Sequence, residues 1–90
     1  MIVEWDNRKA AANQRKHGVS FEEAATALED PLSITFLDPD HSLEEFRFLT
    51  FGQGSTGRIL VVAHTDRREA VRLISARPAT RSERRAYEEG

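Results

Sequence analysis

The side chains with the most evident chemical potential in this sequence are arginines, and most of them lie in its second half. Eleven of the thirteen basic residues are arginine, and nine of these fall between residues 47 and 90. A guanidinium group binds phosphate or carboxylate through a planar fork of donors, which the ammonium group of lysine lacks. This composition favours an anion-binding face, and an ordinary solvated surface is the alternative.

Two of these arginines, Arg72 and Arg77, belong to one apolar segment near the C-terminus. Strict alternation along a strand places them on opposite faces, because their spacing of five is odd. A bulge or bend would bring them to the same face. The alternative is that each arginine pairs with an internal carboxylate, with Glu45 and Glu69 as the candidate partners.

Candidate acid–base groups also occur. Glu45 and Arg47 stand two residues apart on one predicted strand, so they form either a structural ion pair or part of a site. His64 ends the most apolar strand and is either a buried structural histidine or a general base. His17 is either a site residue or a charge that suits the C-terminus of a helix.

Several other kinds of site are not indicated. The chain has no cysteine, so we expect neither disulfides nor a cysteine-based zinc site. Its three histidines lack helical ligand spacing, and there is no glycine-rich phosphate loop or nucleophile elbow. The longest apolar run is far below ~20 residues, and acidic residues stand where a secretory signal carries basic ones. The expected location is the cytoplasm, with no membrane contact.

The elements that must position these groups can be predicted from caps and periodicity. Asp6 and Gly18 bound a first helix, Ser20 and Glu23 open a second that ends before Pro31, and Thr80 opens a third. Alternating apolar residues and flanking turns predict strands at residues 1–5, around 34–36, at 46–51, at 59–64 in the centre of the sheet, and at 70–76. The chain therefore predicts one α+β domain over residues 1–90. It would contain a small antiparallel sheet, two N-terminal helices and one C-terminal helix.

The formal net charge of −2 hides a strong division along the chain. Residues 1–19 carry +2, residues 20–46 carry −8 with no basic residue, and residues 47–90 carry +4. Net charge alone therefore does not argue against a nucleic-acid partner.

Several motifs in order along the chain resemble BrnT toxins of BrnT/BrnA type II toxin–antitoxin pairs. They are Trp5-Asp6 with Lys9 and Asn13, the KHGVSFEEA run from Lys16, Glu45-Phe46-Arg47, the Gly52 to Gly57 hairpin, VVAHT from Val61, and RLISARPAT from Arg72, followed by Glu83-Arg84 and Tyr87. One departure is Gln53, because the family often carries arginine after this glycine.

The resemblance implies a RelE-like fold and a metal-independent ribonuclease that slows translation and needs no cofactor. It also implies an antitoxin of the BrnA, ribbon–helix–helix type that binds the operator together with the toxin.

Metal-free RNA cleavage needs a phosphate clamp, a base and an acid. We assign the clamp to Arg77 and Arg47 with Arg72 in reserve, the base to Glu45 or His64, and the acid or a base-stacking role to Tyr87. Further RNA contacts are assigned to Lys9, Lys16, His17 and Arg81.

Two alternatives stay open at this point. One is a non-catalytic module that binds nucleic acid or an acidic partner through its arginines. The other is a degenerate toxin that survives only as an antitoxin-binding partner.

Overall fold

The computed structural model describes residues 1–40 and 46–90. Their eight elements are β1 (Ile2–Glu4), α1 (Asn7–His17), α2 (Phe21–Leu28), β2 (Ile34–Leu37), β3 (Phe48–Gln53), β4 (Ile59–Arg67), β5 (Ala70–Pro78) and α3 (Arg81–Glu89). The predicted α+β class, with two N-terminal helices and a C-terminal one, is confirmed.

The five strands form one sheet in the order β1-β5-β4-β3-β2, with β4 at its centre as predicted. The prediction of an antiparallel sheet is wrong at one edge, because β1 runs parallel to β5. The other three pairings are antiparallel. β1 pairs with β5 rather than with a chain neighbour, and the intervening helices and strands supply the long crossover that parallel pairing requires.

The helix ends follow the predicted caps with one difference. The Asp6 carboxylate accepts hydrogen bonds from the first turn of α1, and Gly18 ends that helix in a left-handed conformation at φ 70°. Thr80 and Glu83 form a reciprocal capping box on α3. Ser20 caps α2, but the Glu23 carboxylate turns away to Arg58, so only half of this predicted box forms.

α1 and α2 cover one face of the sheet. The fully buried apolar side chains lie between this face and the helices, and they come from the α1–α2 connection, α2, β4 and β5: Val19, Phe21, Ala24, Ala27, Leu60, Val62, Leu73 and Ala76. At Gly52 the sheet and α2 approach so closely that a Cβ would stand 2.2 Å from the carbonyl oxygen of Ala27. These two helices do not cover the opposite face of the sheet.

β5 contains one residue more than its partner strand requires. Ser75 pairs with Ala63 and Leu73 pairs with His64, so Ile74 is left over at a bulge. The extra residue lets Leu73 and Ala76, three positions apart, both enter the core.

Candidate functional site

The bulge settles which way the two arginines of β5 point. Arg72 precedes the core residue Leu73, and Arg77 follows the core residue Ala76. Each arginine therefore turns to the face opposite α1 and α2. Their cross-strand partners, Thr65 and Val61, lie on that same face. We call this side of the sheet the arginine face.

Arg47 extends the same face toward β3. Its carbonyl oxygen accepts a 2.8 Å hydrogen bond from the Asp38 N–H, which continues the β2–β3 ladder one step past Phe48. Phe48 pairs with His64, so alternation turns Arg47 toward the arginine face, next to the row of Thr65 and Arg72. Arg47 and Arg72 thus border one end of the face, and Arg77 lies about 13 Å further along the sheet, four residues of β4 away.

The Arg77 guanidinium is held by a carboxylate of α3. Two of its nitrogens donate to the two oxygens of Glu83, at 2.7 and 2.9 Å. These hydrogen bonds from Arg77 lower the pKa of Glu83 to about 2, so this pair is fully ionised at neutral pH. The two N–H donors of Arg77 that would bind a phosphate are therefore aligned for an anion, and the Glu83 carboxylate occupies them.

Tyr87 lies one turn further along α3 and faces a different partner. Its hydroxyl donates to a carboxylate oxygen of Asp30, which also accepts from the Gln53 backbone N–H. The bond to Asp30 raises the pKa of Tyr87 to about 12. The phenol is therefore protonated at neutral pH, and it releases its proton less readily than an unpaired tyrosine does.

Arg72 makes a weaker ion pair. Its guanidinium lies 3.7 Å from the carboxylate of Glu4, its register partner on β1, and both side chains are partly exposed. Ion pairing of both β5 arginines is therefore observed, but with Glu4 and Glu83. The candidate partner Glu69 is not involved, and Glu45 lies outside the described residues.

His64 is not brought together with the arginines. It pairs with Leu73 on the α1 and α2 side of the sheet and is only 4% exposed. Its Nε2 lies 2.8 Å from the Thr50 hydroxyl, its Nδ1 lies 2.9 Å from Asp66, and its ring stacks on Phe48. Thr50 in turn contacts the Thr35 hydroxyl at 2.7 Å. This geometry fits a buried polar link across β2, β3 and β4, and the base role stays an untested prediction that the placement does not favour.

The basic residues of α1 form a separate group. Lys9, Lys16 and His17 line an open cleft of about 300 Å³ against Ile74 and Ser75 of β5. The cleft lies where β5 extends beyond its short pairing with β1. Its cations are therefore separated from the arginine face by β5 itself.

Three further predicted positions complete the comparison. Arg81 is exposed at the first residue of α3. Gln53 donates from its amide nitrogen to the Gly57 carbonyl, so it serves the hairpin. The predicted base Glu45 lies outside the described residues.

Sequence reasoning missed the two carboxylates that hold the candidate groups. The sequence predicts no role for Glu83 as a partner of Arg77, although its position six residues after Arg77 is a usable signal. Asp30 was read only as the end of α2, and nothing in a separation of 57 residues from Tyr87 could have indicated their contact.

Residues 1–40 and 46–90 show neither a cluster of metal ligands nor a membrane-spanning helix. No group of three or more histidine, aspartate or glutamate residues there is arranged to hold a metal ion. None of the helices in this part of the chain is long and apolar enough to cross a membrane.

Both the sequence and the fold of this chain resemble those of known proteins. A family model described as "Ribonuclease toxin, BrnT, of type II toxin-antitoxin system" matches residues 5–83. The crystal structure of the Brucella abortus ribonuclease toxin BrnT superposes with a TM-score of 0.69 at 25% identity, covering 90% of this chain and 99% of that one. No curated protein sequence matches closely enough to count as a relative. The chain belongs to the BrnT family of ribonuclease toxins of type II toxin–antitoxin systems.

Proposed function

We propose that the arginine face is the RNA-cleaving site of this toxin and that it works without a metal ion. The observation that carries the proposal is the β5 bulge, since it brings Arg72 and Arg77 to the same face of the sheet. Arginines separated along this face contact different phosphates of one RNA strand, which fixes the strand before cleavage.

The proposed reaction uses the 2′-hydroxyl of the RNA. Its oxygen attacks the adjacent phosphorus while the bond from phosphorus to the 5′-oxygen breaks, giving a 2′,3′-cyclic phosphate and a 5′-hydroxyl end. A base takes the proton of the 2′-hydroxyl, and an acid protonates the leaving 5′-oxygen. Arg77 stabilises the extra negative charge on the phosphoryl oxygens, with Arg47 and Arg72 positioning the flanking backbone.

For the phosphate to reach Arg77, it must displace the Glu83 carboxylate. Arginine binds both anions with the same two-pronged geometry, so the exchange keeps two charge-assisted hydrogen bonds. Tyr87 is proposed as the acid, because its phenol is protonated and lies on the same side of α3 as Glu83. The base is assigned to Glu45, since His64 is buried on the other side of the sheet.

The finer features implied by the family resemblance belong to the same proposal. They are a RelE-like fold, a single domain over residues 1–90, a cytoplasmic location, and RNA contacts from Lys9, Lys16, His17 and Arg81. The proposed partner is a BrnA-type, ribbon–helix–helix antitoxin that neutralises the toxin and binds the operator with it.

The test is RNA cleavage by the purified Arg77→Ala variant. Loss of a charge-stabilising donor is expected to slow cleavage by about 100-fold or more, while Arg77→Lys recovers only part because it lacks the fork. Arg85→Ala, on the exposed side of α3, is the matched control and should cleave like the wild type.

Adding EDTA to the same assay tests metal independence, and cleavage should persist. Near-wild-type cleavage by Arg77→Ala would exclude the proposed clamp. Intact RNA with salt-sensitive binding by the wild type would instead support the non-catalytic module.

A further inference from the structure

β2 forms one outer edge of the sheet, and the backbone groups of two of its residues point away from the neighbouring strand. Asp38 donates to the Arg47 carbonyl, so by the antiparallel alternation Phe36 and Ile34 also exchange hydrogen bonds with β3. The N–H and C=O groups of Thr35 and Leu37 then point away from β3. No described residue outside the β2–β3 ladder hydrogen-bonds to the backbone of either one.

The side chains along this edge are apolar and exposed. Phe36 is 46% exposed and Leu37 is 48% exposed, on opposite faces of the strand, and Leu32 just before the strand is 71% exposed. Proteins commonly protect an edge strand with lysine, proline or a bulge. β2 contains none of these, so its edge has the character of a surface that another chain covers.

The charges around this edge are negative. Exposed Glu29 precedes β2 and exposed Asp40 follows it, and residues 20–46 contain eight acids and no base. Such a surface repels an RNA backbone. Charge complementarity favours a protein segment that carries basic residues.

We propose that the antitoxin binds here, adding an extended segment with alternating basic and apolar residues to β2 as a sixth strand. The segment would pair with the backbone groups of Thr35 and Leu37, cover Phe36, and place its basic residues near the flanking acids. This inference rests on the proposed function for the existence of the antitoxin, and it gives the exposed acids beside β2 a partner.

The test measures binding of the antitoxin encoded beside this chain's gene by isothermal titration with the full chain. Leu37→Pro removes an N–H that β3 does not use, so the edge strand can still form while strand addition is blocked. We expect affinity for the antitoxin to fall at least about tenfold, because the variant loses one hydrogen bond to the added strand and misaligns the next. Leu37→Ala keeps the N–H, so its affinity for the antitoxin should fall clearly less.

A charge test complements the backbone test. Phe36→Lys places a positive group where the partner's basic segment would lie, and affinity should again fall at least about tenfold. Ile2→Lys is the matched control, since Ile2 is 60% exposed on the strand at the opposite edge of the sheet, and it should bind normally. Circular dichroism verifies that all four variants are folded.

Hydrogen exchange on the wild-type complex gives a readout specific to strand addition. The amides of Thr35 and Leu37 should exchange rapidly in the free protein and at least about tenfold more slowly with antitoxin bound. Unchanged exchange at these two amides, normal binding by Leu37→Pro, or failure of the wild type to bind overturns the proposal. So does a free wild-type dimer that Leu37→Pro converts to a monomer, because a second copy would then occupy the edge.

RNA cleavage by Leu37→Pro without antitoxin keeps this test separate from the proposed function. Cleavage should be retained, since Leu37 lies away from the arginine face. Loss of antitoxin binding with retained cleavage supports the docking edge. Absence of cleavage in the wild type would count against the RNA site alone.

Discussion

The state of a single residue, Arg77, determines how the arginine face responds to an anion. Its guanidinium donates hydrogen bonds to both carboxylate oxygens of Glu83. At the proposed site RNA binding requires an exchange of partners, so we expect Glu83 to reduce affinity for RNA while it stabilises the free protein.

Glu83→Gln should separate these two effects. Glutamine still serves the capping box of α3 but lacks the charge that competes with phosphate. We expect RNA affinity at low salt to rise several-fold, and the free energy of unfolding to fall by about 1–2 kcal/mol. Titration with an uncleavable RNA and urea unfolding measure the two quantities. An unchanged or weaker affinity would show that Glu83 does not compete with RNA.

The same pair gives stability a defined pH dependence. The folded-state pKa of Glu83 is about 2, below the ordinary value of 4.5. Its stabilising contribution is therefore complete above pH 4.5 and is lost as pH falls from there toward 2. Comparing urea unfolding at pH 6 and pH 3 should show a larger loss for the wild type than for Glu83→Gln, which has no carboxyl group to protonate. Equal losses would contradict this assignment.

At the scale of elements, one side chain joins α1 to the sheet. The Asn13 amide donates to the carbonyl oxygens of Val19 and Ala76 and accepts from the Ala76 N–H, at 2.8 to 3.0 Å. These contacts act in place of a neighbouring strand where β1 no longer covers β5. They also fix β5 beside its bulge, next to Arg77.

Asn13→Ala should therefore destabilise the protein by more than the loss of side-chain volume alone would. It leaves three buried backbone groups without their partner, so we expect the free energy of unfolding to fall by about 2–4 kcal/mol. Chemical denaturation measures this, and Gln14→Ala at the exposed neighbouring position is the control. A loss below about 1 kcal/mol would mean that water or another side chain replaces the amide.

Local signals predicted the elements well, and long-range pairing set the rest. Asp6, Gly18 and Thr80 act within a few residues of themselves, so sequence alone located the helix ends they form. The parallel pairing of β1 with β5 joins segments about 68 residues apart, and no local pattern encodes it. The common face of Arg72 and Arg77 depends on one surplus residue at Ile74, which only the register of the neighbouring strand reveals.

The whole molecule divides its charge between two kinds of surface. The arginine face and the basic side of α1 carry positive groups, whereas the segment around β2 is acidic and apolar. A net charge of −2 is therefore compatible with the two proposed partners, RNA on the arginine face and a basic protein segment at the β2 edge. Net charge says little about either partner because the two regions nearly cancel.

This division predicts a specific salt dependence for RNA binding. Binding of single strands weakens with salt by a slope of about −0.7 per phosphate contact, so the contacts of Arg47, Arg72 and Arg77 contribute about −2 to the slope. Arg72→Ala should make the slope shallower by about 0.7, because it removes one contact without unfolding the sheet. Glu29→Lys, an exposed change in the acidic region, should leave the slope unchanged if RNA stays on the arginine face. Titrations of an uncleavable RNA between low and physiological salt measure all three slopes. A wild-type slope near zero, or a steeper slope for Glu29→Lys, would place the RNA elsewhere on the protein.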